Sequence, residues 1–431
     1  MECKKLKIVL LTSGSPYANA GILSYDIYKS LKNAGHTIIL LARDYDERFE
    51  TDMKSVFGKN ESFVYNLINR VENRLNTKKV DSEYCMFSLS EGKNNITTKK
   101  ILKKIPFTPD LFIFLFTRRF LNSKNLFELN QQTGAPICIV PVDMALFTGG
   151  CHYSNDCEEY KKQCGNCPGL FSKNAKDITY SNLALKKKHV NQTKLYTLTN
   201  TWMSSLIKQS SIFNGKPNFP INYVINESIY CPGDKAEAKN LFGIPVNKNI
   251  IFFGATAVHE KRKGFSYLTE AIKLLYNDLI ETERSSIGIA IAGKISNEIK
   301  SLFPIDVFEL GHLTHEQLGK AFRMADLFVS PSIQEAGSMM VIQSMMCGTP
   351  VVAFEMGNAA DYIINGITGY RAPLYDTEKF KEGIRSLLMK SPEEKKIISM
   401  QCNELAISKS SYRAFEHDFI KNYNLFEKHI D

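Results

Sequence analysis

The stretch "ADLFVSPSIQEAGSMMVIQSMMCGTPVVAF", residues 325–354, places two short apolar runs around an apolar segment of helical length. Such runs, bounded by Pro, Ser and Gly, are typical of buried parallel strands joined by a helix. Glu335 follows the first strand and precedes the small residues Ala336 and Gly337. This order predicts a helix N-terminus suited to phosphate, beside a carboxylate able to accept sugar hydroxyls. The alternative is a plain helix-start acid favoured by the helix dipole.

The same alternation of apolar runs and amphipathic segments extends over the whole chain. With 431 residues, the chain exceeds what one hydrophobic core usually organises. The pattern predicts an α/β protein with two doubly wound Rossmann-like domains, whose strand C-termini face a central cleft. We expect a first domain over 1–228, a second over 229–408 and a C-terminal helix over 409–431, which can pack back on the first domain. The predicted strands cover 6–12, 36–42, 110–116, 135–142, 194–199, 221–226, 249–255, 287–293, 306–311, 325–332 and 349–354.

Net charge is +9, and lysine clusters in the first half of the chain, at 4–7, 99–104 and 186–188. Such clusters suit an anionic partner such as phosphate or a membrane surface, although each run alone is also typical of a solvated face. The N-terminal apolar run "IVLL" is too short for a signal peptide, and "LFIFLF" (111–116) is too short for a membrane span. We therefore expect a cytoplasmic protein, soluble or peripheral at the inner face of the membrane.

Several enzyme and binding classes lack their motifs here. The turn after the first strand reads "TSGSPYANAG" (12–21) and lacks G-x-G-x-x-G, which disfavours a nicotinamide oxidoreductase. G-x-x-x-x-G-K-[ST] is also missing, which disfavours a P-loop kinase. The chain carries no nucleic-acid-binding motif, so we expect no nucleic-acid partner.

A second cluster, "HEKRKGFSYL" (259–268), follows an apolar run and opens a predicted helix. Arg262 and Lys263 in this cluster are suited to neutralise a diphosphate leaving group, which is the main catalytic need of a nucleotide-sugar transferase.

Four cysteines lie close together in "GGCHYSNDCEEYKKQCGNCPGL" (149–170). Clustered cysteines in a cytoplasmic protein more often bind metal than form disulfides. A set of four thiolates suits structural zinc, with His152 or Asp156 as a substitute for one ligand. The alternative is a group of reduced cysteines that only pack. The predicted ligands are Cys151, Cys157, Cys164 and Cys167.

Residues 62–79 carry Val64, Leu67, Ile68, Val71 and Leu75 at helical spacing, with four basic residues among them. Two interpretations stay open. A basic amphipathic helix can lie on an anionic membrane, or its apolar stripe can pack onto its own domain, which we favour.

Taken together, these motifs resemble the retaining family 4 glycosyltransferases of the GT-B fold. "EAGSMMVI" leading to Gln343 is similar to that family's pair of glutamates with seven residues between them, and "MMCGTPVVAF" and "GITGY" follow in the family's order. "FFGA" with "KRKGF" resembles its diphosphate loop. The stretch "DMALFTGGCHYSNDCEEYKKQCGNCPGL" (143–170) resembles a narrower branch, the bacterial exopolysaccharide enzymes of the colanic-acid type.

The resemblance implies a retaining glycosyltransferase that takes a UDP- or GDP-linked sugar, needs no catalytic cofactor, and uses a saccharide or lipid-linked saccharide acceptor in polysaccharide biosynthesis. It implies that Glu335 holds donor-sugar hydroxyls and that Arg262 and Lys263 bind the diphosphate. Asp143 would be a catalytic residue contributed by the first domain. The implied donor-binding residues are Gly14, Gly21, Gly311, His312, Leu313, Ala336, Gly337, Ser338, Met339 and Gln343.

The sequence departs from the family pattern at three positions. Gln343 replaces the second glutamate, Val142 replaces the histidine of a His-Asp pair, and Ala257 or a neighbour replaces an early arginine of the diphosphate loop. An amide hydrogen-bonds a ribose without the strength of a charged group. Two alternatives to a transferase therefore stay open: a catalytically impaired relative that binds a saccharide or a partner protein, and a nucleotide-sugar epimerase.

Overall fold

The computed structural model describes residues 4–17, 21–76, 80–81, 84, 88–89, 91–92, 96–115, 118–254 and 260–430, with the side chains of 69–76 and 430 excepted. The chain divides into two compact units. The first comprises Met1–Val224 and Phe415–Asp431, and the second comprises Ile225–Ala414. The predicted α/β class with two doubly wound parallel sheets is confirmed.

The first unit is built on a seven-stranded parallel sheet with the order β3-β2-β1-β4-β5-β6-β7. Its central strands are buried on both faces, as the continuous apolar runs predict for parallel strands covered by helices. The strands are β1 (Lys7–Thr12), β2 (Thr37–Ala42), β3 (Met53–Ser55), β4 (Leu111–Phe114), β5 (Ile137–Ile139), β6 (Leu195–Thr199) and β7 (Asn218–Pro220).

Helices of the first unit connect these strands. Several begin at a side-chain cap, as at α4, where Asn122 and Asn125 form a reciprocal capping box. The helices are α1 (Ile22–Asn33), α2 (Lys59–Asn76), α3 (Thr98–Leu102), α4 (Ser123–Thr133), α5 (Ile178–Asn191) and α6 (Thr201–Gln209).

The second unit has a six-stranded parallel sheet with the order β10-β9-β8-β11-β12-β13. Its strands are β8 (Asn249–Gly254), β9 (Ile287–Ala292), β10 (Asp306–Gly311), β11 (Leu327–Ser330), β12 (Val351–Phe354) and β13 (Gly369–Ala372). Its helices are α7 (Lys235–Leu241), α8 (Phe265–Asp278), α9 (Glu281–Ser286), α10 (Asn297–Lys300), α11 (His315–Met324), α12 (Met339–Met346), α13 (Ala359–Tyr362), α14 (Thr377–Leu388) and α15 (Pro392–Ser410). The last helix, α16 (Tyr412–Ile430), belongs to the first unit from Phe415 onwards.

The strand predicted over 221–226 is wrong. Strand β7 lies just before it, and 221–226 is an irregular connector whose apolar side chains are buried all the same. The backbone N–H of Ile225 donates to the carbonyl of Ser410 at the end of α15, 2.9 Å away, rather than to a neighbouring strand. Apolar character therefore predicted burial here but not strand pairing. The edge strands β3 and β13 were not among the predicted strands.

Among the described residues, no helix has both the length and the apolar character needed to cross a bilayer.

Candidate functional site

Glu335, Arg262 and Lys263 meet at one edge of the second sheet. Strands β8 and β11 are parallel neighbours, so the loops that follow them emerge side by side. The Lys263 Nζ donates to Glu335 Oε2, and the Arg262 Nη1 donates to the same oxygen at 3.2 Å. The sheet order changes direction between β8 and β11, and such switch points are where doubly wound sheets bind ligands. Three residues that the sequence analysis selected are thus brought together.

The electrostatics of this cluster keep Glu335 ionised. Burial raises the pKa of Glu335, but the charges of Lys263 and Arg262 and their hydrogen bonds more than offset this, so its pKa lies below the ordinary value. The side chain of Glu335 is 13% exposed, and that of Lys263 is 25% exposed. Arg262 also pairs with Glu260, 2.6 Å away. A mostly buried carboxylate paired with two cations is typical of a site that binds a polar or charged ligand.

The loop that contains Arg262 and Lys263 is hydrogen-bonded to the loop that contains Glu335. The carbonyl of Arg262 accepts the N–H of Ile333 at 2.8 Å. Gly264 ends the short 3-10 helix 261–263 in the left-handed region, with φ of 67°. A Cβ at Gly264 would lie 1.7 Å from the carbonyl oxygen of Pro331, so only glycine allows the two loops to approach this closely.

The predicted phosphate-binding segment begins α12. Ser338 is the N-cap residue and Met339 the first helical residue, and the side chain of Asn358 donates to the Ser338 carbonyl at 3.1 Å. Gly254 at the end of β8 lies so close to Met340 that an added Cβ would be 2.6 Å from its Cε. The beginning of α12 therefore adjoins the end of β8.

The other predicted donor residues of the second unit lie at two places. Gln343 is buried within α12, at 3% exposure. Gly311 ends β10, and exposed His312 and half-buried Leu313 follow it. Ala257 lies outside the described residues.

In the first unit, Gly14 and Gly21 flank the loop after β1, which is at the switch point between β1 and β4. The Cα of Gly21 lies 3.8 Å from a Cβ built on Gly14, so the two ends of the loop are close together. Residues 18–20 of this loop lie outside the described residues.

Asp143 lies beyond β5 and is held by a histidine whose role the sequence analysis missed. The Asp143 Oδ2 contacts His152 Nδ1 at 2.7 Å, and the His152 Nε2 contacts Ser88 Oγ at 2.8 Å. Asp143 Oδ1 accepts the N–H of Ala145 at 2.8 Å. Burial raises the pKa of Asp143, but His152 more than offsets this, so its pKa lies below the ordinary value. Both ring nitrogens of His152 are thus engaged in hydrogen bonds, and its role as a substitute zinc ligand stays a prediction from the sequence.

We expect His152→Ala to lower the free energy of unfolding by about 2 kcal/mol, because it leaves the buried Asp143 carboxylate without the hydrogen bond from His152. Urea unfolding followed by circular dichroism measures this. His417→Ala is the control, since its imidazole is 75% exposed beside Asp418 and its loss should change stability by less than about 0.5 kcal/mol. Equal effects of the two substitutions would contradict the role given to His152.

The four clustered cysteines lie in one neighbourhood and are reduced. Burial raises the pKa of Cys151 and of Cys164 to about 12 and that of Cys167 to about 11, and each thiol also interacts electrostatically with Cys157. Within the part of the chain that the structure describes, no three His, Cys, Asp or Glu side chains are arranged to hold a metal ion. Zinc at these cysteines stays a prediction from the sequence, which metal analysis of the purified protein can decide.

Part of the second unit matches a known protein family. Residues 234–401 match the family of glycosyl transferases group 1. This match contains Glu335, Arg262 and Lys263 and lies within Ile225–Ala414. The chain is 28% identical over 169 residues to D-inositol 3-phosphate glycosyltransferase of Mycobacteroides abscessus, covering 38% of each chain. It is 26% identical over 181 residues to D-inositol 3-phosphate glycosyltransferase 1 of Catenulispora acidiphila, covering 38% of this chain and 41% of the relative. The chain thus matches about two fifths of the length of these relatives.

Solved structures resemble the whole chain, at low sequence identity. Sucrose-phosphate synthase from Thermosynechococcus elongatus matches 98% of this chain and 99% of its own, with a TM-score of 0.67 and 15% identity. Anabaena Alr3699/HepE in complex with UDP and glucose matches 97% of this chain and all of its own, with a TM-score of 0.62 and 12% identity. These similarities establish the fold, which is the GT-B fold expected from the resemblance to glycosyltransferases.

Proposed function

We propose that this protein is a glycosyltransferase that moves a sugar from a UDP- or GDP-linked donor to a saccharide or lipid-linked saccharide, with retention of anomeric configuration, in surface polysaccharide or glycan biosynthesis. The observation that carries the proposal is the cluster of Glu335, Lys263 and Arg262 at the β8–β11 switch point, within the segment that matches glycosyl transferases group 1. The UDP complex of the structural neighbour HepE supports a nucleotide-sugar donor.

The cluster suggests how a donor is bound. In the structure, Arg262 and Lys263 both form ion pairs with Glu335. A diphosphate is a stronger competitor for Arg262 and Lys263, because it offers more charge and more acceptor oxygens than one carboxylate. Once the cations turn to the diphosphate, the Glu335 carboxylate is free to accept hydrogen bonds from hydroxyls of the donor sugar. Donor binding is therefore an exchange of partners within one cluster.

Transfer then breaks the bond between the anomeric carbon and the diphosphate oxygen and forms a bond from that carbon to the acceptor oxygen on the same face. The leaving diphosphate takes the electron pair of the broken bond, and the acceptor hydroxyl proton passes to a phosphate oxygen. Arg262 and Lys263 stabilise the negative charge that develops on the diphosphate. Asp143, hydrogen-bonded to His152, is proposed as a further catalytic residue. The departures at Val142 and Gln343 leave this charge stabilisation intact.

The proposal is tested by incubating the purified protein with UDP-sugars and GDP-sugars and measuring nucleotide release, with and without saccharide acceptors. Release that depends on a sugar nucleotide and rises with an acceptor supports a transferase. A thermal shift with nucleotides but no release would indicate the impaired relative. Interconversion of the donor sugar without transfer would indicate the epimerase. No release and no thermal shift with any nucleotide would refute the transferase and the donor site together.

A further inference from the structure

In the part of helix α2 whose side chains are described, residues 59–68, Ser62 and Tyr65 contact the rest of the first unit. Tyr65 lies on the inner side, with its ring centroid 5.0 Å from that of Phe57 and its hydroxyl donating to the carbonyl of Arg119. Ser62, also on this side, is buried and accepts the N–H of Tyr45 at 3.1 Å. Residues three apart on a helix share a face, so Ser62 and Tyr65 define the side that contacts the unit.

Over residues 63–68, the opposite side of α2 carries apolar side chains that are exposed. Phe63 is 72% exposed, Val64 54%, Leu67 53% and Ile68 52%. On a helical projection of about 100° per residue these four positions lie on the face away from Ser62 and Tyr65. The expectation that this stripe packs onto its own domain is therefore wrong for Val64, Leu67 and Ile68. Val71 and Leu75, the other members of the stripe, lie outside the residues whose side chains are described.

The segment of sequence that contains this apolar face is basic. Residues 59–104 contain ten Lys and Arg against five Asp and Glu. This excess of five positive charges is more than half of the chain's net charge of +9. Lys100 of α3 contacts Glu61 in the first turn of α2 at 2.6 Å, so α3 lies beside the start of α2. Lys99 and Lys103 of this neighbouring segment are exposed, as is Lys59 at the start of α2.

We propose that the exposed face of α2, formed by Phe63, Val64, Leu67 and Ile68, docks the protein on an anionic lipid surface. An apolar face flanked by lysines fits the boundary between acyl chains and negatively charged headgroups. There the apolar side chains contact the acyl chains, and the lysines contact the headgroups. A second copy of this chain fits less well. A two-fold contact through α2 would bring the two basic regions together and oppose association. This surface goes beyond the transfer reaction and does not depend on it.

The experiment is co-sedimentation of the purified full-length protein with vesicles of phosphatidylcholine alone or of phosphatidylcholine with phosphatidylglycerol, at near-physiological salt. We expect binding to the anionic vesicles and little to the neutral ones. The triple variant Phe63→Ser, Leu67→Gln, Ile68→Gln should bind at least tenfold more weakly. Its substitutions are at exposed positions, and circular dichroism checks that the fold is kept. The matched control is Ile397→Gln with Met400→Gln, which changes two apolar residues of α15 that are each 55% exposed.

The outcomes separate the possible partners of this face. Loss of vesicle binding in the triple variant, with binding kept in the α15 control, supports the proposal. Equal binding by wild type and triple variant would overturn it, as would no binding by wild type. A dimer in analytical ultracentrifugation that the triple variant dissociates, without vesicle binding, would overturn it in favour of self-association. Nucleotide release by lipid-free protein is assayed separately, so failure of the transferase proposal and failure of this one are distinguishable.

Discussion

Glu335→Gln is expected to lower sugar transfer roughly hundredfold or more, while the affinity for UDP is kept or increased. The loss arises because the amide cannot give donor-sugar hydroxyls the charged acceptor that Glu335 supplies. The affinity is kept because the substitution removes the charge that pairs with Lys263 and Arg262, so both cations become available to the diphosphate. Steady-state kinetics measures the first effect, and calorimetric titration with UDP measures the second.

The control is Glu382→Gln, which removes the same charge from a surface carboxylate paired with Lys379 at 2.8 Å. It should leave kcat and UDP binding within about twofold of wild type. Transfer by Glu335→Gln within a few-fold of wild type would refute the role given to Glu335. Loss of UDP binding together with activity would refute the exchange of partners, since it would mean that the carboxylate supports the site rather than competing for its cations.

Gly264→Ala is expected to cost roughly 3 kcal/mol or more in the free energy of unfolding and to lower activity strongly. Its left-handed backbone accounts for about 1 kcal/mol. The rest comes from the added Cβ, which would meet the carbonyl oxygen of Pro331 at 1.7 Å and force the loops after β8 and β11 apart. Because Arg262 and Lys263 precede this glycine directly, the same displacement moves both cations away from Glu335.

The matched control for this substitution is Gly243→Ala. Gly243 has a nearly identical φ of 65°, but a Cβ added there would have no heavy atom within 4 Å. The substitution should cost only about 1 kcal/mol, which is the cost of the left-handed conformation alone. Urea unfolding of both variants compares them within the same unit of the chain. Equal losses in the free energy of unfolding would contradict the expectation, because they would show that the loop of Pro331 moves away from the added Cβ at no cost in stability.

Much of the architecture follows from the amino-acid sequence by itself. Strands β8, β9 and β10 lie within one residue of the predicted runs, because parallel strands buried on both faces are continuous apolar segments that local composition reveals. Helix α16 lies within the C-terminal helix predicted over 409–431. The types and order of Glu335, Arg262 and Lys263 were sufficient to select them as candidates. The strand expected over 221–226 failed because burial does not require strand pairing.

Only the tertiary structure decided which groups meet. Lys263 and Glu335, 72 residues apart, share a hydrogen bond because β8 and β11 are neighbours, a pairing that neither segment specifies alone. The contact of His152 with Ser88, 64 residues away, is of the same kind. For α2, the sequence determined an apolar stripe, but the direction in which the stripe points depends on where Tyr65 attaches the helix. Periodicity defines the two sides of a helix, and only packing decides which side meets the protein and which meets its surroundings.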